Sequence, residues 1–174
     1  SIQSSLLLEP VARNTAPALT LAAMCAIESG QDPILVVTPA DQTVQNSEAF
    51  KLALQKSIRA AAGGEIVILG VTPDRPETGY GYIQHSGAMG LHGEYKVAQF
   101  TEKPSLEIAQ SYLQGGEYTW NSGMFVLKAS AWLEALQMFR PDILAGSQAA
   151  WAERTAEASF IRPSKSLFAQ VPAD

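Results

Sequence analysis

One run, Ile34-Leu35-Val36-Val37-Thr38, constrains this chain more than any other feature, because it is almost wholly apolar, rich in β-branched residues and flanked on both sides by helical patterning. A strand without polar alternation is one covered on both faces, and strands covered by helices belong to layered α/β folds. Ahead of it, Thr15 is placed to cap a helix with Pro17 in its first turn, apolar over 19–28 and stopped by Gly30. Behind it, Ser47 is placed to cap a second helix with Phe50, Leu54, Ile58 and Ala61 on one face and Gly63-Gly64 at its end. Extended patterns recur at 65–70, 94–100 and 124–127, and helical ones at 105–113, 129–139 and 143–158. The tail, 160–174, reads as a loop packed on the sheet. This alternation predicts an α/β fold with a mixed, mostly parallel central sheet flanked by helices.

With 174 residues, 47% of them hydrophobic, and neither repeats nor low-complexity tracts, the chain is long enough for one globular domain with a core and does not read as disordered. Charged residues make up 17% and the net charge is -5, which argues against a nucleic-acid partner but not against a small phosphorylated ligand. The single cysteine, Cys25, excludes an internal disulfide and a multi-cysteine metal site and fits the cytoplasm. No apolar run approaches the roughly 20 residues of a membrane span, so no membrane partner is expected. Ser1 to Ser5 lack a signal-peptide layout.

In open α/β sheets, ligands gather beyond the carboxyl ends of strands. Asp41 lies just after such a strand, in Thr38-Pro39-Ala40-Asp41, and reads either as a ligand for a hard divalent cation or as a turn cap. Arg13-Asn14-Thr15 opens a helix and reads either as capping or as a place for an anion or a base edge. Thr78-Gly79-Tyr80-Gly81 lacks the third glycine of a dinucleotide fingerprint; its bare amides suit either close approach to a ligand or a tight turn. Glu102-Lys103 joins an acceptor for sugar hydroxyls to a cation for phosphate, or is an exposed ion pair. Asn121, set among apolar residues, needs hydrogen-bond partners from backbone or ligand. His85 and His92 have no zinc-type spacing and read as surface residues, while Tyr80, Tyr82, Trp132 and Trp151 read as packing residues.

Taken together, Glu9-Pro10-Val11-Ala12-Arg13-Asn14-Thr15-Ala16-Pro17, Thr38-Pro39-Ala40-Asp41, Pro76-Glu77-Thr78-Gly79-Tyr80-Gly81-Tyr82-Ile83, Phe100-Thr101-Glu102-Lys103-Pro104 and Trp120-Asn121-Ser122-Gly123-Met124-Phe125 resemble the mannose-1-phosphate guanylyltransferases of bacterial type, often fused to a mannose-6-phosphate isomerase domain. The resemblance implies the Rossmann-like fold of nucleotide-diphospho-sugar transferases. It also implies a reaction of GTP with mannose 1-phosphate to give GDP-mannose and pyrophosphate, in polysaccharide biosynthesis, with Mg²⁺ as cofactor. By position, Asp41 matches the metal-binding aspartate and, with Lys103 directed at the phosphate, the catalytic set. Glu9, Pro10, Arg13, Asn14 and Thr15 match the loop facing the guanine base. Gly81, Glu102 and Asn121 match the positions that hold mannose hydroxyls. A homo-oligomer is compatible with all of this.

The sequence departs from the family in two respects. Gln42 stands where histidine usually follows Pro-Ala-Asp, and the Gly-Gly-x-Gly-x-Arg-Leu-x-Pro triphosphate signature is not in the chain. The expectation is therefore that residues 1–174 are the central and C-terminal part of one nucleotidyltransferase domain, inactive alone, lacking that loop and a segment after residue 174. Two alternatives remain beside the leading one: a transferase for another sugar 1-phosphate or nucleotide, and a noncatalytic sugar-nucleotide-binding subunit.

Overall fold

A computed structural model describes residues 4–87 and 89–173; Ser1 to Gln3, within the segment read as lacking a signal, Ala88, in the glycine-rich stretch around the histidines, and Asp174, at the end of the expected loop, lie outside the described residues. In chain order the elements are β1 (Leu6–Leu7), α1 (Thr15–Ile27), β2 (Ile34–Val37), α2 (Ser47–Ala62), β3 (Val67–Val71), β4 (Tyr82–Ser86) and β5 (Lys96–Thr101). They continue with α3 (Leu106–Gly115), β6 (Tyr118–Lys128), α4 (Ala129–Phe139), α5 (Pro141–Ala152), β7 (Thr155–Glu157), β8 (Phe160–Arg162) and α6 (Lys165–Phe168). The chain divides into two compact units, one of residues 1–35 and 128–174, the other of residues 36–127.

The first unit is built on α1, which packs on α4 and α5, with α6 against α5. Its core joins Leu21, Met24, Ile143, Leu144, Trp151 and Phe168, all nearly inaccessible. Thr20 is fully buried at no cost in unmade bonds: its hydroxyl donates to the Ala16 carbonyl at 2.7 Å and accepts from Trp132 Nε1 at 3.0 Å. At the other end of α1, Trp151 Nε1 donates to Glu28 at 2.9 Å and Arg154 both pairs with Glu28 and lies over the Trp151 ring at 4.5 Å. Trp151 and Trp132 thus pack as their sequence context suggested.

Lys128, the N-cap of α4, makes no side-chain capping bond. Asp32 supplies the cap from the preceding loop instead, accepting from the Ser130 backbone N–H at 3.0 Å and from its hydroxyl at 2.8 Å. These bonds hold the Asp32 carboxyl below the ordinary aspartate range. A depressed folded-state value means that the stabilisation is present at neutral pH and is lost as pH falls through that lower value. Asp32→Ala is expected to lower the thermal midpoint at neutral pH, with the gap to the parent closing in strong acid. Calorimetry across a pH series checks this, and a gap of constant size would refute it.

The second unit carries the longer sheet, in which the order β2-β6-β4-β5 is extended by β3, also paired to β6. The α/β expectation, with sheets flanked by helices, holds, and the separate three-stranded sheet β1-β8-β7 is mixed, but no parallel majority shows among the described registers. Among the described pairings β3–β6, β4–β5, β4–β6 and β7–β8 are antiparallel, and β1–β8 is parallel. The cause is local for β4 and β5: the connection over 87–95 carries Gly87 and Gly93 at positive φ and is too short for the helical crossover that a parallel pair needs. Gly70 lets β3 approach β6, since a Cβ there would fall 2.3 Å from Thr119 Oγ1 and 2.7 Å from its Cβ.

Several boundaries differ from expectation. Asn14, not Thr15, is the N-cap of α1, and Asn46, not Ser47, caps α2, its side chain accepting from the Ala49 N–H at 3.0 Å. On α2 the inner face runs through Phe50, Leu54, Ser57 and Ala61, leaving Ile58 exposed. Helix α5 begins at Pro141 and ends at Ala152, after which Thr155–Glu157 is a strand; the tail holds β8 and α6 rather than loop alone. His85 and His92 are half-buried, the former stacked at a tilt on Tyr95 with centroids 4.8 Å apart. Among the described residues no helix is long and apolar enough to cross a membrane.

Candidate functional site

In the second unit β4 begins and β5 ends at a common rim, past which β6 continues. Tyr82 at the start of β4 is opposite Thr101, the last residue of β5, and Trp120 of β6. One step further along each strand lie Gly81, Glu102 and Asn121, brought together by register alone. The Asn121 N–H donates to the Gly81 carbonyl at 2.7 Å. Gly81 is buried, and a Cβ on it would sit 2.7 Å from Phe100 Cζ and 2.9 Å from Glu102 Oε2, so the bare backbone is what admits the Glu102 carboxylate beside it. Glu102 pairs with Lys103 at 3.4 Å, both side chains being more than half exposed, and Lys103 turns the chain with a left-handed φ of 42°.

Asn121 opens an irregularity in β6. Asn121 pairs with Gly70 and Phe125 with Ile68, so more residues of β6 than of β3 lie between the two pairs. Within this bulge the Asn121 Oδ1 accepts from the Gly123 N–H at 3.0 Å and Gly123 adopts φ 70°. The buried Ser122 hydroxyl donates to the Leu69 carbonyl at 2.6 Å and accepts from the Met124 N–H at 3.1 Å. The Ser122 carbonyl in turn accepts from Gln42 Nε2 at 2.6 Å. Gln42 follows Asp41 in the loop after β2, so this bond ties the Asp41 loop to the strand that presents Asn121. Asp41 itself is exposed and joins no ion pair among the described residues.

A strap covering part of the rim is the feature that motif reading missed. The Arg75 guanidinium lies over the Trp120 ring at 5.1 Å and pairs with Asp74 and Glu77, while Tyr80 meets Trp120 edge-on at 5.3 Å. Glu77 accepts from the Gly79 N–H at 3.1 Å through its carboxylate and from the Tyr82 hydroxyl at 2.8 Å through its carbonyl. The prolines and glycines of 73–81 signalled a loop, but only the Trp120 partner, remote in sequence, shows that this loop is held down. Tyr80 and Tyr82 serve packing here, as expected.

The remaining candidates, Glu9, Pro10, Arg13, Asn14 and Thr15, belong to the first unit. Arg13, expected as a nucleotide-facing cation, directs its guanidinium inward, donating to the Ala169 carbonyl. Burial pushes the Glu9 carboxyl up, opposed by a hydrogen bond from the Arg13 backbone. Asn14 has φ 65° and ψ -158°, a region populated essentially by glycine, and its side chain makes no capping bond to α1. Holding a non-glycine residue there costs about 1–3 kcal/mol. Among the described residues no cluster of three or more His, Cys, Asp or Glu could hold a metal by itself.

A family model described as Nucleotidyl transferase matches residues 1–165. The chain belongs to the nucleotidyl transferase family. Relatives within it include the "Xanthan biosynthesis protein XanB" of Xanthomonas campestris pv. campestris, 45% identical over 98% of this chain and 36% of the relative. The "Mannose-1-phosphate guanylyltransferase" of Escherichia coli is 44% identical over 98% of this chain and 37% of its own length. Among solved structures, "mannose-1-phosphate geranyltransferase from Thermus thermophilus" superposes with a TM-score of 0.82 at 34% identity, over 97% of this chain and 47% of that one. "Mannose-6-phosphate isomerase from Helicobacter pylori" gives 0.84 at 32% identity, over 98% and 64%. This nucleotidyl transferase chain thus spans about a third of the length of the curated relatives it matches.

Proposed function

We propose that the whole protein is a mannose-1-phosphate guanylyltransferase, joining GTP and mannose 1-phosphate into GDP-mannose with release of pyrophosphate. The observation that carries this reading is the rim itself: within a nucleotidyl transferase, a bare glycine backbone, a carboxylate and an amide converge beside a loop bearing a lone exposed aspartate. Several relatives carry the name of that activity. On this reading the reaction takes place in the cytoplasm, where the nucleotide is made, and its product feeds polysaccharide synthesis.

In the proposed reaction a phosphate oxygen of mannose 1-phosphate attacks the α-phosphorus of GTP. The new P–O bond forms as the bond to the β-phosphate breaks, and the leaving pair of phosphates departs as pyrophosphate. No side chain need act as nucleophile, so the work of the protein is alignment and charge compensation. Glu102 accepts from mannose hydroxyls and the Asn121 amide adds to the same sugar subsite, with the Gly81 backbone forming its floor. Lys103, exposed beside Glu102, reaches the phosphate next to the sugar as a mobile point charge. For the base, Asn14 offers a donor and an acceptor from a strained backbone, Thr15 follows it at the start of α1, and Glu9, Pro10 and Arg13 shape the loop. A single exposed carboxylate fits Mg²⁺, which keeps waters and takes phosphate oxygens rather than a full protein cage, and Asp41 would hold it. When bound, it neutralises charge on the phosphates.

The test is turnover of the whole protein with mannose 1-phosphate and Mg²⁺ against GTP, UTP, ATP and dTTP, read as pyrophosphate release. GTP is expected to exceed each of the others by roughly 100-fold or more in kcat/KM, since a site built to hydrogen-bond one base rejects analogues that leave its polar groups unpaired. Equal use of several nucleotides, or none of GTP, would overturn the reading.

A further inference from the structure

Gln42 is the residue at which this chain departs from the motif pattern of its resemblance, and the structure gives it a definite partner. Its amide nitrogen donates to the Ser122 carbonyl at 2.6 Å across 80 residues of sequence. The acceptor is no ordinary strand carbonyl. It lies in the β6 bulge, where Gly123 takes φ 70° and the Ser122 hydroxyl is tied to Leu69 and Met124. The loop after β2 fits this bulge sterically as well, since a Cβ on Gly123 would lie 3.4 Å from Pro39 Cγ. On one side of the bond is Asp41; on the other is Asn121, whose own N–H is fixed to Gly81 and whose Oδ1 is fixed to Gly123.

We propose that Gln42 is a positioning residue that clamps the Asp41 loop to the Asn121–Gly123 bulge, so that the metal-holding carboxylate and the sugar subsite keep a fixed separation. The proposal rests on the roles assigned above to Asp41 and Asn121. Its physical basis is that one partly buried bond from an uncharged amide joins two segments remote in sequence, the loop after β2 and the bulge of β6. Removing the donor frees the loop without opening a core, because Gln42 is exposed and packs on no apolar cluster.

The test uses three variants of the whole protein. Gln42→Glu is isosteric but sets a carboxylate, which cannot donate, against the Ser122 carbonyl; Gln42→Ala removes the group; Gln42→His restores an N–H donor. Amide hydrogen exchange is followed in peptides covering 38–46 and 118–126, Mn²⁺ binding is measured by calorimetry on the protein without substrates, and Michaelis constants are determined for GTP and mannose 1-phosphate. In the Glu and Ala variants exchange quickens in both segments. The Mn²⁺ dissociation constant and the KM for mannose 1-phosphate each rise by roughly tenfold, the scale of one hydrogen bond, while the KM for GTP and the thermal midpoint stay close to the parent. Gln42→His brings both constants most of the way back.

Unchanged exchange in both segments overturns the clamp. So does quickened exchange with both constants unmoved, or a His variant as impaired as the Ala variant. A whole protein that turns over no GTP refutes the guanylyltransferase reading instead, and the exchange and Mn²⁺ measurements then judge Gln42 without it.

Discussion

Asp41→Ala in the whole protein is expected to cut Mg²⁺-dependent turnover by roughly 10²–10³-fold or more, the loss seen when a main stabiliser of developing charge is removed. Asp41 is exposed, lies in a loop beyond β2 and joins no ion pair among the described residues, so its removal exposes no apolar surface and orphans no partner. Thermal unfolding should therefore match the parent within a degree or two, as for surface substitutions that shift stability by no more than about 0.5 kcal/mol. A Mg²⁺ titration of pyrophosphate release, run beside the melting curve, reads both. Retained turnover at saturating metal would remove the metal assignment, and a large drop in melting temperature would recast Asp41 as a structural turn residue.

The second large effect is expected at Glu102. Glu102→Ala raises the KM for mannose 1-phosphate by roughly 10–100-fold, the worth of one or two charge-assisted hydrogen bonds, and leaves the KM for GTP within about twofold. The fold is not at stake. The Glu102–Lys103 pair is solvent-exposed, and such pairs contribute about 0–1 kcal/mol. What the substitution empties is the space beside buried Gly81, where Glu102 Oε2 would lie 2.9 Å from a Cβ on the glycine. Glu102→Gln, which keeps one acceptor, should fall between the parent and the alanine variant. Equal losses for both substrates would make Glu102 a general support of the rim rather than a sugar contact.

How far such a site can be read in advance depends on whether its parts are local. The helices α1 and α2 and the strand β2 were legible, since periodicity, a glycine stop and a β-branched run act within a few residues of one another. Caps slipped by one position because asparagine and its neighbouring hydroxyl residue both suit the task, and backbone angles decide between them. Strand direction was not legible, because apolar runs look alike in parallel and antiparallel sheets until the connection is known. Asp41, Gly81, Glu102 and Asn121 were each ambiguous by spacing and were singled out by the ensemble of motifs. That Gly81, Glu102 and Asn121 meet on one rim needed the β4–β5–β6 register, and the Asp41 loop is tied to β6 through Gln42. The bulge at Asn121 and the Gln42 bond were beyond reach, since an extra residue in one strand has meaning only against its partner. Short strands such as β1, β7 and β8 also escaped, having too few residues to show any period.

Gly70 and Thr119 claim a single volume between two strands: the first gives up its side chain so that the second can lean across. The two positions are therefore one steric unit in inheritance and in engineering. Enlarging residue 70 while residue 119 stays branched pries β3 from β6 at the very pair that holds Asn121, so neither position can drift alone without deforming the rim from behind.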